Sequence, residues 1–371
     1  MIPYGKQHID KKDIAEITKV LRSSFLTTGP KVKKFEHEIK KFTGSKFSSA
    51  CNSGTSALYL AFSAINIKPG DVIIMPGINF IASFNICKLF KAKIYLADVD
   101  SSNGLMTKKN VLECIKKYNL KKIKALVTMH LGGNAEYTGD FYKLKRKFKF
   151  FVIEDSCHAF GSEYSYNARV YKVGCAKHAD ISTFSFHPIK SITTAEGGAI
   201  TTNNKELFKK IHLFRSHGMI KFSNKHWEYN IKSSGLNFRL SDLNCALGLS
   251  QIKKIKKFLK KRDEIVKFYN NHFKKYESII KIPKITKNQN AWHLYIVSFN
   301  FRNIFQKDLF FRYLKKNGII AQFHYKPIYR FSVGGGLKKM PGCEKYYKNA
   351  VSLPIFFDLT KERQKKIIKI F

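Results

Sequence analysis

The chain has 371 residues, of which 44% are hydrophobic, and its formal net charge at pH 7 is +42. No apolar run approaches the roughly 20 residues of a membrane-spanning helix, and the N-terminus lacks the apolar stretch of a secretory signal. The seven cysteines are scattered and form no Cys-x-x-Cys pair, which argues for reduced thiols and against a disulfide framework or a zinc site. We therefore expect a cytoplasmic globular protein with no metal and no membrane partner.

The positive charge comes mainly from lysines that are spread over the whole chain. A nucleic-acid-binding protein more often shows arginine in a localised stripe, together with base-stacking aromatic residues. We interpret the high lysine content as the result of a genome bias towards A- and T-rich codons. We expect no specific nucleic-acid partner, only salt-sensitive nonspecific binding at most. A basic surface also favours an anionic substrate through electrostatic steering.

From residue 47 onward, short apolar runs alternate with helical stretches. The predicted strands are Phe47–Cys51, Val72–Met75, Ile94–Ala97, Ala125–His130, Phe151–Glu154 and Ile181–Phe186. The predicted helices between them are Thr55–Ala64, Ile81–Phe90, Val111–Tyr118 and Phe141–Phe148. This alternation predicts an α/β fold whose large domain holds a mostly parallel sheet with helices on both faces.

The pattern changes after Ser241 and indicates a smaller α/β domain at the C-terminus. Asp242–Asn270 reads as one long helix with Ser241 as its N-cap. The elements predicted beyond it are a strand at Trp292–Phe299, a helix at Lys307–Lys316 and a strand at Ala321–Tyr325. We place the domain boundary in the long helix, with residues 1–250 in the large domain and 251–371 in the small one.

Two polar motifs lie where predicted strands end. Asn52-Ser53-Gly54-Thr55-Ser56-Ala57 forms a strand-to-helix turn, and the hydroxyls and free N–H groups of such a helix start can bind an anion. An ordinary N-cap with a glycine turn explains the same residues equally well. Asp155 ends another strand, at the sheet edge where open α/β sheets bind ligands, although aspartate is also a common helix cap.

Lys190 lies on a turn, since His187-Pro188 breaks the preceding strand. Ser185 precedes it, and hydroxyl residues and the pair Gly197-Gly198 follow. An anion-binding helix start, a strand-end aspartate, a strand-end serine and then a turn lysine match the needs of pyridoxal phosphate. Its aldehyde needs an amine to form a Schiff base, its pyridine nitrogen needs a carboxylate, and its phosphate needs helix amides.

With these motifs the chain resembles, nearly end to end, the DegT/DnrJ/EryC1/StrS family of nucleotide-sugar aminotransferases. These are pyridoxal-phosphate enzymes of the aspartate-aminotransferase fold (fold type I). Further segments that carry the resemblance are Pro3–Gly5, Phe25–Pro30, Phe214–Gly218 and Asn237–Leu240. Within the family, Phe214–Met219, Leu247–Gln251 and His324–Tyr329 are most similar to the pseudaminic-acid branch.

The resemblance implies roles for individual residues. Lys190 would form the Schiff base and then move the substrate proton, and Asp155 would pair with the pyridine nitrogen. The implied cofactor-binding residues are Gly54, Thr55, Ser56, Phe80, Asp155, His158, Ser185, Lys190 and Asn237. The implied substrate-binding residues are Tyr4, Ser24, Phe25, Leu26, Thr27, Ser56, Asn237, Phe323, His324, Tyr325 and Lys326. Because Asn237 would come from the neighbouring subunit, we expect a homodimer with shared active sites.

The activity implied by the resemblance is transamination of a UDP-linked 4-keto-6-deoxy-2-acetamido hexose, with L-glutamate as amino donor, in pseudaminic acid biosynthesis. The alternative is a family aminotransferase for another nucleotide-4-keto sugar, of the perosamine or bacillosamine type. Some relatives are dehydratases that replace the lysine by histidine, and the presence of Lys190 argues against that chemistry. Residues 164–179 form a segment that is longer than usual in the family, and we assign it no role.

Overall fold

The structure is a computed structural model that describes residues 1–222, 224–225 and 227–371. The helices among these residues are α1 (Lys11–Leu21), α2 (Pro30–Thr43), α3 (Gly54–Ala64), α4 (Ala82–Leu89), α5 (Lys108–Lys117), α6 (Thr138–Phe148), α7 (Lys205–Arg215), α8 (Asp242–Ile252), α9 (Ile255–Phe273), α10 (Ile304–Lys316), α11 (Pro341–Asn349) and α12 (Lys361–Ile368). The strands are β1 (Phe47–Cys51), β2 (Val72–Pro76), β3 (Lys93–Ala97), β4 (Ala125–Met129), β5 (Phe151–Asp155), β6 (Glu163–Tyr166), β7 (Arg169–Lys172), β8 (Ile181–Ser185), β9 (Gly198–Thr202), β10 (Met219–Lys221), β11 (Tyr229–Ile231), β12 (Ile280–Lys281), β13 (Tyr295–Phe299) and β14 (Ala350–Leu353).

A seven-stranded sheet in the order β1-β9-β8-β5-β4-β2-β3 forms the centre of the large domain. Its strands pair in parallel except at β9, which runs antiparallel to both β8 and β1. The strands are short apolar runs that are buried along most of their length, as expected for a sheet covered by helices on both faces. The predicted mostly parallel sheet is confirmed.

The sheet brings the ends of β1, β5 and β8 to one edge. These three strands run in the same direction, because β1 and β8 are both antiparallel to β9 and β5 is parallel to β8. Asp155 ends β5, Ser185 ends β8, and α3 begins just after β1. The polar motifs of the sequence therefore meet at the carboxyl edge, where open α/β sheets bind ligands.

The long helix predicted over Asp242–Asn270 is wrong as one element. Its N-cap is confirmed, since the Ser241 hydroxyl accepts from the backbone N–H of Asn244 at 3.2 Å, but α8 ends at Ile252 and α9 begins at Ile255. The break is held by Lys254, whose amine lies 2.6 Å from Asp13 and 3.0 Å from Asp10 on α1. This ion-pair network joins residues far apart in the chain, so no local sequence pattern predicts the break.

A three-stranded antiparallel sheet, in the order β12-β13-β14, forms the small domain together with α10 and α12. The strand predicted at Ala321–Tyr325 is wrong, because there only Gln322 forms an isolated bridge, with Ser352 of β14. Ile2 pairs with Ile319 and packs in the hydrophobic cluster of this domain, so the N-terminus also contributes to it. The division between residues 250 and 251 stays a prediction.

All seven cysteines are free thiols, and six of them are buried. Among the described residues, no group of three or more His, Cys, Asp or Glu side chains is placed to hold a metal ion. None of the helices within these described residues is both long enough and apolar enough to cross a bilayer.

Candidate active site

A cavity of about 490 Å³ opens at the carboxyl edge of the sheet, between the large and small domains. It is lined by predicted cofactor-binding residues, namely Gly54, Thr55, Phe80, Asp155, His158, Ser185 and Lys190. The predicted substrate-binding residues that line it are Tyr4, Phe323, His324 and Tyr325. The structure thus brings together residues that are as far apart as positions 4 and 325, and the volume is in the range typical of small-molecule sites.

The start of α3 forms one wall of this cavity. Ser53 is the N-cap, and its hydroxyl accepts from the N–H of Ser56 at 3.0 Å. A Cβ on Gly54 would lie 2.8 Å from the Cβ of Ser185, so only glycine lets the end of β8 come this close to the helix. Thr55, Ser185 and the positive end of the α3 dipole therefore face the same space, which suits an anion such as phosphate.

Asp155 lies at the base of the cavity and is only 2% exposed. The backbone N–H of Cys157 donates to its Oδ1 at 3.2 Å. Within the described residues, no lysine, arginine or histidine forms an ion pair with its carboxylate. Burial raises the pKa of Asp155. A cation placed against this carboxylate would therefore be strongly favoured.

Lys190 extends from the turn after β8, where its backbone N–H donates to the carbonyl of His187 at 2.9 Å. Its Nζ lies 3.5 Å from Nε2 of His293. Burial lowers the pKa of the Lys190 amine, although Cys157 and Asp155 act in the opposite direction. This lowered pKa increases the fraction of the neutral amine, which can act as nucleophile or base.

His158 is held in a defined orientation above the Asp155 turn. The N–H of Gly132 donates to Nδ1 at 3.4 Å, and Nε2 lies 3.0 Å from the hydroxyl of Tyr325. These bonds assign the neutral tautomer with its proton on Nε2. Burial, with the nearby Lys190, lowers the pKa of His158 well below its ordinary value, so the ring stays neutral.

The remaining predicted site residues lie outside the cavity of this single chain. Ser56 is buried and its hydroxyl donates to the side-chain oxygen of Asn52 at 2.5 Å. Ser24, Phe25, Leu26 and Asn237 are exposed, Thr27 bridges Ser241, and Lys326 lies 4.9 Å above the ring of Phe331. Their predicted binding roles stay predictions.

Sequence reasoning missed several residues that line the cavity, above all Cys157 and His293. Cys157 had a signal, because it follows Asp155 by two residues at the same strand end. His293 had none, since it lies in a stretch that reads as an ordinary strand. Its place in the site depends on how the small domain packs over the large one.

Comparison with known proteins decides the family. The sequence model of the DegT/DnrJ/EryC1/StrS aminotransferase family matches residues 7–371. The chain belongs to the DegT/DnrJ/EryC1/StrS aminotransferase family. A UDP-4-amino-4,6-dideoxy-N-acetyl-beta-L-altrosamine transaminase of Campylobacter jejuni is 39% identical over 359 residues, which cover 95% of this chain and 92% of that protein.

Solved structures of aminotransferases match the whole fold. The structure of Helicobacter pylori PseC, an aminotransferase involved in the biosynthesis of pseudoaminic acid, has a TM-score of 0.92 and 33% identity and covers 100% of this chain and 97% of that chain. The PLP-form of Spr1654 from Streptococcus pneumoniae has a TM-score of 0.90 and 27% identity, with coverage of 99% and 97%. This family member is an aminotransferase of the aspartate-aminotransferase-like fold, and its relatives indicate a sugar aminotransferase that uses pyridoxal phosphate.

The site fits this cofactor on its own geometry. The buried carboxylate of Asp155 has no cationic partner among the described residues and would accept a protonated pyridine nitrogen. A side chain at position 54 would collide with Ser185, and because Gly54 has none, the start of α3 can face the cavity, where a phosphate can bind. The lysine amine required by the aldehyde lines the same cavity.

Proposed function

We propose that this family member transaminates the 4-keto group of a UDP-linked 2-acetamido-2,6-dideoxy-hexos-4-ulose to the 4-amino sugar, with L-glutamate as amino donor, in pseudaminic acid biosynthesis. The observation that carries the substrate is the 39% identity to a transaminase named for such a sugar, over 95% of this chain. The shared cavity of Lys190, Asp155 and the start of α3 supports the reaction type.

Residues of the large domain would hold the cofactor. The N–H groups at the start of α3, with Thr55 and Ser185, would bind its phosphate, and Asp155 would hold its pyridine nitrogen protonated. Phe80 and His158, which both line the cavity, would pack against its ring. When bound, the cofactor supplies an electron sink for the carbon that loses or gains a proton.

Lys190 would move that proton. As a neutral amine it takes a proton from the donor carbon and returns one at the sugar C4. The burial that lowers its pKa increases the fraction of amine that is ready to act near neutral pH. A residue that merely carried charge, such as arginine, would not perform this step because its pKa is too high.

The sugar nucleotide would enter from the side of the small domain. Tyr4, Phe323, His324 and Tyr325 line that side of the cavity and offer aromatic faces and hydroxyls to a sugar and a base. The net charge of +42 would attract the negatively charged diphosphate and speed its approach.

A second copy of the chain would complete the site. Asn237 is exposed and lies outside the cavity of its own chain. Exposed apolar side chains lie close to Asn237 in the chain, at Ile231 and Leu236, and also at Phe25 and Leu26, which are predicted to bind substrate. We infer that they pack against a partner protomer, whose site receives Asn237.

The mechanism is tested by borohydride trapping and product analysis. Borohydride should attach the cofactor covalently to the peptide that contains Lys190, and wild-type protein should convert a UDP-4-keto sugar plus L-glutamate to a 4-amino product seen by NMR at C4. Lys190→Ala and the charge-retaining Lys190→Arg should both lose the covalent attachment and the product. Full activity of Lys190→Ala would overturn the assignment.

Substrate and donor are tested separately by comparing candidates. Candidate UDP-4-keto sugars that differ in ring configuration are offered one at a time, and the configuration of the new amine is read from NMR couplings. Preference for a perosamine- or bacillosamine-type precursor would replace the proposed substrate while leaving the reaction type intact. Transfer from another amino acid at a higher rate than from L-glutamate would contradict the proposed donor.

A further inference from the structure

His293 approaches the active-site lysine from the small domain. It lies two residues before β13 and is 3% exposed. Its Nε2 lies 3.5 Å from Nζ of Lys190, and its ring centroid is 4.2 Å from that of His158. Within the described part of the chain, the Lys190 amine forms no other side-chain hydrogen bond. The roles proposed above do not use this contact.

The backbone on both sides of His293 is held by unusual features. Trp292 adopts a left-handed conformation with φ of 43°, which is rare for a bulky residue and persists only where the surroundings enforce it. The side chain of Asn290 accepts from the N–H of Trp292 at 2.8 Å. A Cβ on Gly133 would lie 2.4 Å from that Asn290 oxygen, so the glycine makes room for this turn.

A buried arginine fixes the same turn from the other side. Arg262 is 4% exposed and donates through Nη1 to the carbonyls of Trp292 at 2.9 Å, His293 at 3.4 Å and Ile355 at 3.2 Å. Hydrogen bonds from a charged donor in a buried place are among the strong ones. The backbone that carries the His293 side chain is therefore fixed by several independent contacts.

The other ring nitrogen decides which group donates. Nδ1 of His293 is buried, and among the described residues it has no hydrogen-bond partner. A buried N–H without an acceptor is rarer in proteins than a buried lone pair without a donor. The favoured tautomer therefore carries its proton on Nε2, and that N–H can donate to a neutral amine but not to an ammonium group.

We propose that His293 is a positioning residue that receives the Lys190 amine whenever the lysine is not covalently engaged, and holds it there as the neutral free base. Its part in turnover rests on the proposed transamination, in which the lysine must be released as a base in every cycle. The contact joins only groups of this chain and can be tested without cofactor or sugar.

The surroundings of the two groups agree with a neutral pair. The titratable groups that line the cavity with Lys190 come from four parts of the chain. They are Tyr4 near the N-terminus, Asp155, Cys157 and His158 at the end of β5 and in the turn after it, His187 and Glu196 around the lysine turn, and His293, His324 and Tyr325 from the small domain. Burial lowers the pKa of His293 well below its ordinary value, with His158 and Lys190 acting in the same direction. His293 is thus neutral near neutral pH, and the burial that lowers the pKa of Lys190 increases the fraction of its neutral amine.

The test measures the basicity of Lys190 in the full-length protein after cofactor removal with hydroxylamine. Trace acetic anhydride labels neutral amines, and mass spectrometry of the Lys190 peptide as a function of pH gives its apparent pKa. His293→Gln can place an N–H near the position of Nε2, whereas His293→Asn reaches only the position of Nδ1 and serves as the matched control. His293→Leu removes hydrogen bonding altogether.

We expect the Asn and Leu variants to raise the apparent pKa of Lys190 and to lower its labelling at neutral pH about fivefold, the effect of one neutral hydrogen bond. The Gln variant should stay within about twofold of wild type. Equal labelling in all four proteins would overturn the proposal, and so would a Gln variant as impaired as the Asn variant. The buried Lys307 reports unfolding in each sample, because it becomes labelled only when the chain opens.

Kinetics of the loaded enzyme give a second readout. If the transamination is as proposed, His293→Asn should lower kcat and shift the rising limb of its pH profile upward, with the KM for the sugar nearly unchanged, and His293→Gln should restore the profile. A rise in KM with kcat unchanged would contradict the positioning role. Failure of the wild-type protein to act on any UDP-4-keto sugar would refute the proposed function and leave the labelling result standing.

Discussion

Asp155 and Glu154 are neighbours in β5 whose side chains point to opposite faces of the sheet, as strand geometry requires. Asp155 lines the cavity. Glu154 faces away, accepts from the hydroxyls of Ser182 at 2.6 Å and Thr138 at 3.4 Å, and lies 3.4 Å from Nε2 of His130. Two adjacent carboxylates thus belong to different parts of the molecule, one to the site and one to the core.

This arrangement predicts a clean separation between activity and stability at these two positions. Asp155→Asn keeps the shape of the side chain but cannot hold a protonated ring nitrogen, so kcat should fall by about 100-fold or more. The free energy of unfolding should stay within about 1 kcal/mol of wild type. Steady-state kinetics and urea unfolding provide the two measurements, and unchanged kcat would contradict the role proposed for Asp155.

Glu154→Gln is the matched control, and we expect the reverse result. Burial raises the pKa of Glu154, but its interactions with His130, Ser182 and Thr138 outweigh this and bring the pKa below the ordinary value. The carboxylate therefore stabilises the fold above its ordinary pKa, and this stabilisation is lost as pH falls through the lowered pKa. The variant should unfold about 2 kcal/mol more easily at pH 7, with kcat preserved, and should approach wild-type stability in acid.

At the scale of elements, α10 carries a lysine on its buried side. The amine of Lys307 donates to the carbonyl of Tyr347 and lies 4.6 Å from the ring of Tyr347 and 5.1 Å from that of Phe323. Lys307 is 2% exposed, and burial lowers its pKa to about 7. Because Phe323 also lines the cavity, this lysine supports one wall of the site.

Lys307 should therefore make stability depend on pH. Between about pH 7 and its ordinary pKa the unfolded chain binds a proton that the folded chain does not, so stability rises with pH in that window. In wild type, the free energy of unfolding should rise by up to about 1.4 kcal/mol per pH unit from this lysine, and Lys307→Met should lack this rise. Urea unfolding at pH 7 and pH 9 tests the difference, with the exposed Lys315 of the same helix, changed to Met, as control. Equal slopes in wild type and Lys307→Met would contradict it.

The segment 164–179, which the sequence left without a role, contains most of a hairpin packed on the large domain. β6 and β7 pair in antiparallel fashion, and the hairpin and the loop after it enclose His178. The Tyr164 hydroxyl lies 2.8 Å from Nδ1 of His178, and the rings of Tyr142, Tyr166 and Tyr171 lie within 4.9 Å of its ring. These contacts indicate that the hairpin is a structural addition anchored by one histidine.

At the scale of the whole molecule, shared active sites make a quantitative prediction. A site would take Lys190 from one protomer and Asn237 from the other. Lys190→Ala and Asn237→Ala should each be nearly inactive alone, whereas co-expression should restore about one quarter of the wild-type activity, because half of the dimers are mixed and each mixed dimer has one intact site. Activity assays on the co-purified pair test this. No recovery, with mixed dimers verified by two different tags, would exclude shared sites.

Much of the central sheet, and the clustering of several candidate site residues around one cavity, could be predicted from the sequence, because those features are local. A buried strand reads as a short apolar run, and Asp155, Ser185 and the Ser53 cap follow directly from where such runs end. The parallel direction of the strands then requires these ends to meet. Lys190 was identifiable for the same reason, since its turn lies between two recognisable strands.

What only the tertiary structure decided involves residues distant in the chain. The predicted long helix is broken at Lys254, which pairs with Asp10 and Asp13 on a distant helix. Gln322 forms an isolated bridge with Ser352 of β14, the strand that pairs with β13. His293 faces Lys190 because Arg262, Asn290 and Gly133 shape its turn. The sequence determined the strand-end chemistry because side-chain periodicity is local, whereas the packing of the small domain decided what faces that chemistry.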